Sequence, residues 1–344
     1  MRRAGYLVSL LAVAACSTSP SVSPERREAA LEAGKGDVLY AASSVLRVVQ
    51  GAGVVARLDL RRTVTQIAFD PDGKRAFVAT SDGVHVVDGV THRELRRLTR
   101  NPARSVVVSA SQEKVWVLEN TVRRLADGHN EPLPFHVRRF DLDDLREEAD
   151  VEVGDRMLAM GIPAAAASPL LMITEGGALA LLRYPAGSAE PLASQEQTAG
   201  RVRIGPVLDR DGKTLYVPVE GEGALVLAVD VDTKAIRPIE LGRAAYLRAL
   251  ALSPDGETLY VNALTRVAAV DLSSSTRTVR WGPDLPSPHQ ALAVSPDGSR
   301  LYLARPVDSV RGGGAITTVD ASTLEAVSST HIDGVSPFAL AVRP

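Results

Sequence analysis

Cysteine is nearly absent: Cys16 is the only one in 344 residues. No disulfide can therefore form within one chain, and covalent c-type haem, which needs Cys-x-x-Cys-His, is excluded. Aromatic residues make up only 4% of the chain, so the places where they fall carry information. Charge of either sign is not in excess. A formal net charge of −2 provides no global field for nucleic acid or an anionic membrane surface, and no nucleic-acid partner is predicted. His85, His92, His129, His136, His289 and His331 are scattered, without a His-x-x-x-His pair at metal-ligand spacing. There is no Gly-x-Ser-x-Gly for nucleophilic catalysis. No cofactor is predicted.

What is present begins at the N-terminus. Arg2 and Arg3 precede a short apolar run from Leu7 to Ala15. The run is shorter than the roughly 20 residues needed to cross a bilayer, and reads as a secretory signal peptide over residues 1–15. It ends Val13-Ala14-Ala15-Cys16, which resembles the lipobox of bacterial lipoproteins. The resemblance implies cleavage before Cys16, acylation of its thiol and attachment to a membrane through lipid. Ser17, by analogy with the enteric pattern, implies the outer membrane, facing the periplasm or the cell surface. Residues 16–36, rich in Ser, Pro and charge, follow as the lipidated cysteine and a flexible tether. Residues 37–344 form the domain.

That domain is too long for one ordinary core, but a repeat explains it. Asp70-Pro71-Asp72-Gly73, Asp209-Arg210-Asp211-Gly212, Ser253-Pro254-Asp255-Gly256 and Ser295-Pro296-Asp297-Gly298 share one turn chemistry. Asp or Ser opens a type I turn, Pro where present presets φ, and Gly closes it in the left-handed region. Seven residues after each opening residue stands an aromatic: Phe77, Tyr216, Tyr260 and Tyr302. Ser109 and Trp116 repeat the spacing without the Pro-Asp-Gly. These aromatics are predicted to fill the space between neighbouring sheets. Further on, Val87-Asp88, Phe140-Asp141, Val229-Asp230, Val270-Asp271 and Val319-Asp320 each end a strand at an Asx turn.

Four short antiparallel strands per unit of about 40 residues is the β-propeller blade. Units are predicted at about 64–98, 103–153, 155–194, 201–242, 245–282 and 288–333, the third of these lacking the turn motif. Residues 38–60 look like a blade that starts at its second strand, with Tyr40 in the aromatic place. Pro337 to Arg343 looks like a first strand with no blade after it. The expectation is an all-β, seven-bladed propeller whose first blade is closed by the C-terminal strand. Leu259-Tyr260-Val261-Asn262 after its turn, with Leu215-Tyr216-Val217 and Leu301-Tyr302-Leu303, resembles the YVTN-type β-propeller repeat family. The resemblance implies the fold. Members include surface-layer proteins, exported binding proteins and propeller subunits of periplasmic dehydrogenases, so it leaves the function open.

Loops between second and third strands share one face with the links between blades. Two insertions fall in that class: about 14 residues from Asn120 to Pro134, and about seven within Pro306 to Gly314, where Gly312-Gly313-Gly314 reads as a flexible loop. The candidate binding face comprises Arg104, Arg123, Arg124, His129, Arg203, Arg248, His289, Gln290 and Arg311. It predicts a locally basic mouth for a small anionic ligand or an envelope protein. The preferred reading is a binding or scaffolding propeller. The alternative is a metal-dependent, lactonase-like hydrolase or an accessory subunit of a periplasmic redox complex. Glu119 and Glu175, at equivalent places in adjacent blades, are the weak metal-ligand candidates.

Overall fold

The computed structural model describes residues 36–109, 111–124, 130–154, 157–161, 170–175, 178–183, 189–194, 206–219, 225–242, 246–274, 276–308, 313–333 and 337–344. The proposed signal peptide, Cys16 and nearly all of the tether lie outside the described residues.

The strands pair into four-stranded antiparallel sheets. Numbered along the chain, sheet 2 runs from Val64–Phe69 to Glu94–Arg97, sheet 3 from Ala103–Ser109 to Glu147–Gly154 and sheet 4 from Met157–Gly161 to Ala189–Ala193. Sheet 5 runs from Val207–Leu208 to Ile236–Glu240, sheet 6 from Ala249–Leu252 to Val279–Trp281 and sheet 7 from Ala291–Val294 to Ala326–Asp333. Sheet 1 is built from both ends: Ala339–Val342 pairs antiparallel with Val38–Ala42, and Val45–Gln50 and Gly53–Asp59 follow outward. At six junctions the first strands of successive sheets lie side by side, as Val64–Phe69 does with Ala103–Ser109 and Ala291–Val294 with Ala339–Val342. This is β-propeller architecture, and sheet 4 belongs to it although it lacks the turn motif.

Turn chemistry sets the local geometry. Gly73, Gly212, Gly256 and Gly298 have φ between 67° and 80°. Each donates its N–H to the carbonyl three residues back, at 2.9–3.1 Å. Ser253 Oγ and Ser295 Oγ accept from the N–H of Thr258 and Arg300, both at 2.9 Å. At the other turns of the same face, Asp88, Asp141, Asp230, Asp271 and Asp320 each accept from N–H groups two or three residues on. All five carboxyls lie below their ordinary range: backbone N–H bonds lead at Asp88 and Asp230, the Lys114 ammonium at Asp141, and the Ser273 and Ser322 hydroxyls, the latter against desolvation, at Asp271 and Asp320. The recurring aspartates therefore serve their own turns. Asp320, bonded to the Ser322 and Thr323 N–H groups at 2.8 and 2.9 Å, is the best placed to show this. Asp320→Ala is expected to lower stability by about 1 kcal/mol, read as a shift in the urea midpoint at unchanged slope. No shift would assign the aspartate to something other than the turn.

Packing follows the repeated aromatic. Phe77 meets Val106, Val115 and Val117 of sheet 3. Tyr216 meets Leu250 and Leu259 of sheet 6, and Tyr260 meets Leu301 and Leu303 of sheet 7. Tyr302 meets Leu39 and Ala41 of sheet 1, and Tyr40 meets Ile67 and Val78 of sheet 2. At these five junctions each sheet fills the gap to its successor. The first sheet is also clamped at its start. Asp37 accepts from the Tyr302 hydroxyl and pairs with Arg300 at 3.2 Å, deep between sheets 7 and 1.

Both predicted insertions take a different form from free loops. In sheet 3 the ladder continues through Val122↔Pro132 and Arg123↔Glu131 to Arg124↔Asn130, so the insertion is largely an extended hairpin. In sheet 7 the ladder reaches Asp308↔Gly313. Gly313 pairs with Asp333 and is buried, and a Cβ there would stand 2.6 Å from the Ile332 carbonyl oxygen. Gly313 and Gly314 are both strand residues, and at Gly313 the close backbone approach requires glycine. The flexible-loop reading is corrected for those two.

Candidate functional site

The face that carries the hairpin extensions also carries the links between sheets. Its polar residues come from strand ends, where side chains leave the apolar core and neighbouring sheets meet. Several are engaged with their own sheet or the adjoining link. At the loop-face end of sheet 2, Asp82 accepts from Arg62 of the link from sheet 1 at 3.0 Å, and from Arg97 and Thr80 of its own sheet. His85, itself bonded to Glu94 at 2.8 Å, reaches Asp82 at 3.3 Å. The hydrogen bonds from Thr80, Arg97, His85 and Arg62 outweigh desolvation and hold the Asp82 carboxyl far below its ordinary range. Between sheets 7 and 1, Arg47 donates to the Asp333 carbonyl at 3.2 Å.

Glu119 belongs to this group. It is fully buried, and its Oε2 accepts from Asn101 at 3.1 Å and from Arg138 at 3.4 Å. It stands three residues beyond Trp116 and so points to the opposite side of the sheet, toward the link from sheet 2. That direction turns it away from sheet 4, which carries Glu175. The Glu175 side chain lies outside the described residues. Among the described residues, no three His, Cys, Asp or Glu side chains gather to hold a metal.

The basic-mouth residues divide. Arg104 is exposed, at the start of sheet 3's first strand, and has no ion pair or hydrogen bond among the described residues. Arg248 is half-buried just before the first strand of sheet 6, and its Nε has no partner. Gln290 is half-buried at the equivalent place before sheet 7, its N–H donating to the Ala304 carbonyl at 2.8 Å. Arg123 and Arg124 are placed by their backbone in the sheet 3 hairpin. Their side chains, together with His129, Arg203 and Arg311, lie outside the described residues.

His289 differs from the expectation of a surface ligand group. It is wholly buried, with Nε2 at 2.8 Å from the Thr317 hydroxyl. Burial pushes its imidazole down to about 4, with the Arg305 guanidinium acting in the same direction. The carbonyls of Leu264 and Ser287 oppose this. Nδ1 makes no well-formed hydrogen bond to them. His289 is therefore neutral at physiological pH.

Sequence reasoning missed two aromatics on this face. Tyr246 and Phe338 are 64% and 57% exposed. They lead sheets 6 and 1 and stand two residues from Arg248 and one from Ala339. The available signal was an aromatic outside the repeated place, in links that are otherwise polar or small. On the opposite face, a cleft of about 380 Å3 between sheets 6 and 7 is lined by Tyr260, Arg280, Ser299, Asp320 and Ser322. Asp320 is committed to its turn there, and Arg280 reaches the Ala321 carbonyl at 3.5 Å.

No family model matches the chain, and no curated protein matches it in sequence. Its shape is similar to solved structures. One, described as Kuenenia stuttgartiensis hydrazine synthase, has a TM-score of 0.60 at 16% identity, over 82% of this chain and 90% of the other. Another, described as a functionally unknown protein from Desulfotomaculum acetoxidans DSM 771, has a TM-score of 0.65 at 11% identity, over 89% and 99%. At such identities the likeness is one of fold: the chain is a β-propeller by strand pairing and by shape.

Proposed function

We propose that the protein is a binding or scaffolding propeller of the cell envelope that recognises its partner on the loop face. The observation that carries this is the combination there of Arg104 and Arg248, which lack acidic partners among the described residues, with the exposed Tyr246 and Phe338. Arginine and aromatic side chains are the types enriched where protein surfaces meet and where binding energy concentrates. On the turn face the recurring aspartates bond their own turns.

In this reading the sheets close as one seven-bladed ring of the YVTN type, with sheet 1 sealed by the C-terminal strand. Cys16 carries the lipid, and residues 17–36 give the disc reach from the outer membrane. The partner is an envelope protein or a small anionic ligand. An accessory role in a periplasmic redox complex is the second reading. The structure described as hydrazine synthase, to which the chain is similar in fold, is the observation that motivates it.

Affinity capture from envelopes tests the proposal, with three chains compared: wild type, a variant lacking residues 121–133, and Cys16→Ser. The deletion is expected to lose a partner that the wild type retains. Cys16→Ser is expected to leave the membrane fraction while keeping its fold. Equal capture by the deletion variant would remove the loop face as the site. Membrane retention of Cys16→Ser would remove the anchor.

A further inference from the structure

The junction between sheets 7 and 1 shows how this fold holds a carboxylate. Asp37 stands three residues before Tyr40, the repeated aromatic of sheet 1. It accepts from the Tyr302 hydroxyl of sheet 7 and pairs with Arg300 at 3.2 Å. One junction earlier, between sheets 6 and 7, the same place belongs to Ser299, three residues before Tyr302. Serine is shorter and uncharged, and its hydroxyl donates to Asp297 at 2.8 Å. Here the cleft of about 380 Å3 opens on the turn face, with Ser299 on its wall. That volume suits a small molecule.

Three other residues bordering the cleft can meet a ligand. Burial raises the Tyr260 hydroxyl above its ordinary value, so it stays protonated at neutral pH and can donate. Arg280 is exposed and makes no ion pair among the described residues. Its guanidinium reaches only the Ala321 carbonyl, at 3.5 Å. Asp320 receives its turn bonds from Ser322 and Thr323 on Oδ1, which leaves Oδ2 open. The charges of Arg280 and Asp320 both bear on the Tyr260 hydroxyl, which brings the three groups to one place. Asp255 bears on it too, and is committed to the Ser253 hydroxyl and the Glu257 N–H. Arg280 and Asp320 thus stand on the walls of one cleft with opposite charges and no direct pairing. A bare anion would suit the first and be repelled by the second, and a bare cation the reverse. A molecule that carries both charges suits both.

We propose that this cleft binds a small zwitterion of the α-amino-acid type. Its carboxylate takes the place that Asp37 fills at the next junction, on the Tyr260 hydroxyl and Arg280, and its ammonium donates to Asp320 Oδ2. The site lies on the turn face and does not rest on the loop-face reading.

Calorimetric titration of the full chain with L-alanine tests it. Propionate and ethylamine are the probes that lack the ammonium and the carboxylate in turn. Saturable alanine binding is expected, roughly tenfold or more tighter than either probe. Arg280→Gln is expected to weaken it by roughly tenfold or more. Arg280 is exposed, so this variant should keep the wild-type melting temperature, which is checked first. Ser299→Asp provides a second variant at another exposed position. It supplies the carboxylate from the chain itself, as Asp37 does one junction on, and is expected to abolish alanine binding in a folded protein. Failure of alanine to bind saturably to the wild type would overturn the proposal. So would either probe binding as tightly as alanine, or alanine binding unchanged in either variant.

Discussion

Removal of residues 337–344 is expected to lower the melting temperature by more than about 10 °C. The segment supplies the innermost strand of sheet 1. Its register runs Leu39↔Val342 to Ala42↔Ala339, and the Phe338 and Arg343 N–H groups extend the ladder at 2.9 and 2.8 Å. Ala339 packs beside Tyr40 and Leu46, and Leu340 and Val342 pack with Leu39 and Tyr302. Deletion would bare the edge of Val38–Ala42, all five of whose residues are buried. It would also remove Arg343, whose guanidinium reaches across to the Gly89 carbonyl at 2.8 Å. Re-exposing several apolar side chains at roughly 1.5–3 kcal/mol each amounts to about 5 kcal/mol. At about 2–4 °C per kcal/mol for a chain of this class, the loss is large and easily measured. The bared edge would also present unpaired N–H and C=O groups, so the truncated chain is expected to aggregate. A melting curve identical to wild type would falsify closure through the C-terminal strand.

The parts of this fold legible in the sequence are those with local causes. Turn glycines, turn aspartates and the aromatic seven residues on all act within one hairpin, so their spacing survives in a single chain. The unpaired strand at each end was legible for the same reason, since each lacked its hairpin partner. The polar interactions that join sheets were not legible. Arg300 and Asp37 are 263 residues apart, and Tyr40 meets His92, 52 residues on, at 2.9 Å. No local pattern marks such pairs. The two insertions were read as loops because their composition is polar and, in one, glycine-rich. The β-ladder simply continued past the usual strand length, carried by backbone pairing that composition does not reveal. Arg104 and Arg248 were legible as surface cations because they immediately precede or begin first strands. By the same rule His289 should have been exposed. It is buried because its position is set by the junction with sheet 6, through Leu264 and Asn262.

The burial of His289 has a measurable consequence at acid pH. Its folded value is lowered from 6.5 to about 4, because desolvation penalises the imidazolium and Arg305 repels it. The unfolded chain therefore binds a proton at this site between those values while the folded chain does not. Stability rises with pH across that window. The contribution is complete above about pH 6.5, declines as pH falls, and is gone below about pH 4, amounting to roughly 3 kcal/mol in all. His92, also lowered by burial and by Arg343, acts in the same direction. The turn aspartates, with values held below the ordinary carboxylate range, lose their contribution only at lower pH. The window from pH 7 to 5 therefore belongs mainly to histidine. In His289→Gln the amide can still bond Thr317, and the unfolding free energy is expected to fall less steeply than wild type over that window, by roughly 2 kcal/mol. Parallel curves for the two proteins would mean that His289 is reached by solvent and protonates freely in the folded state. Protonation would place a second cation beside Arg305 at the junction where Arg248 stands, with no carboxylate among the charges that bear on His289. Acid stress is therefore expected to loosen the contact between sheets 6 and 7 first.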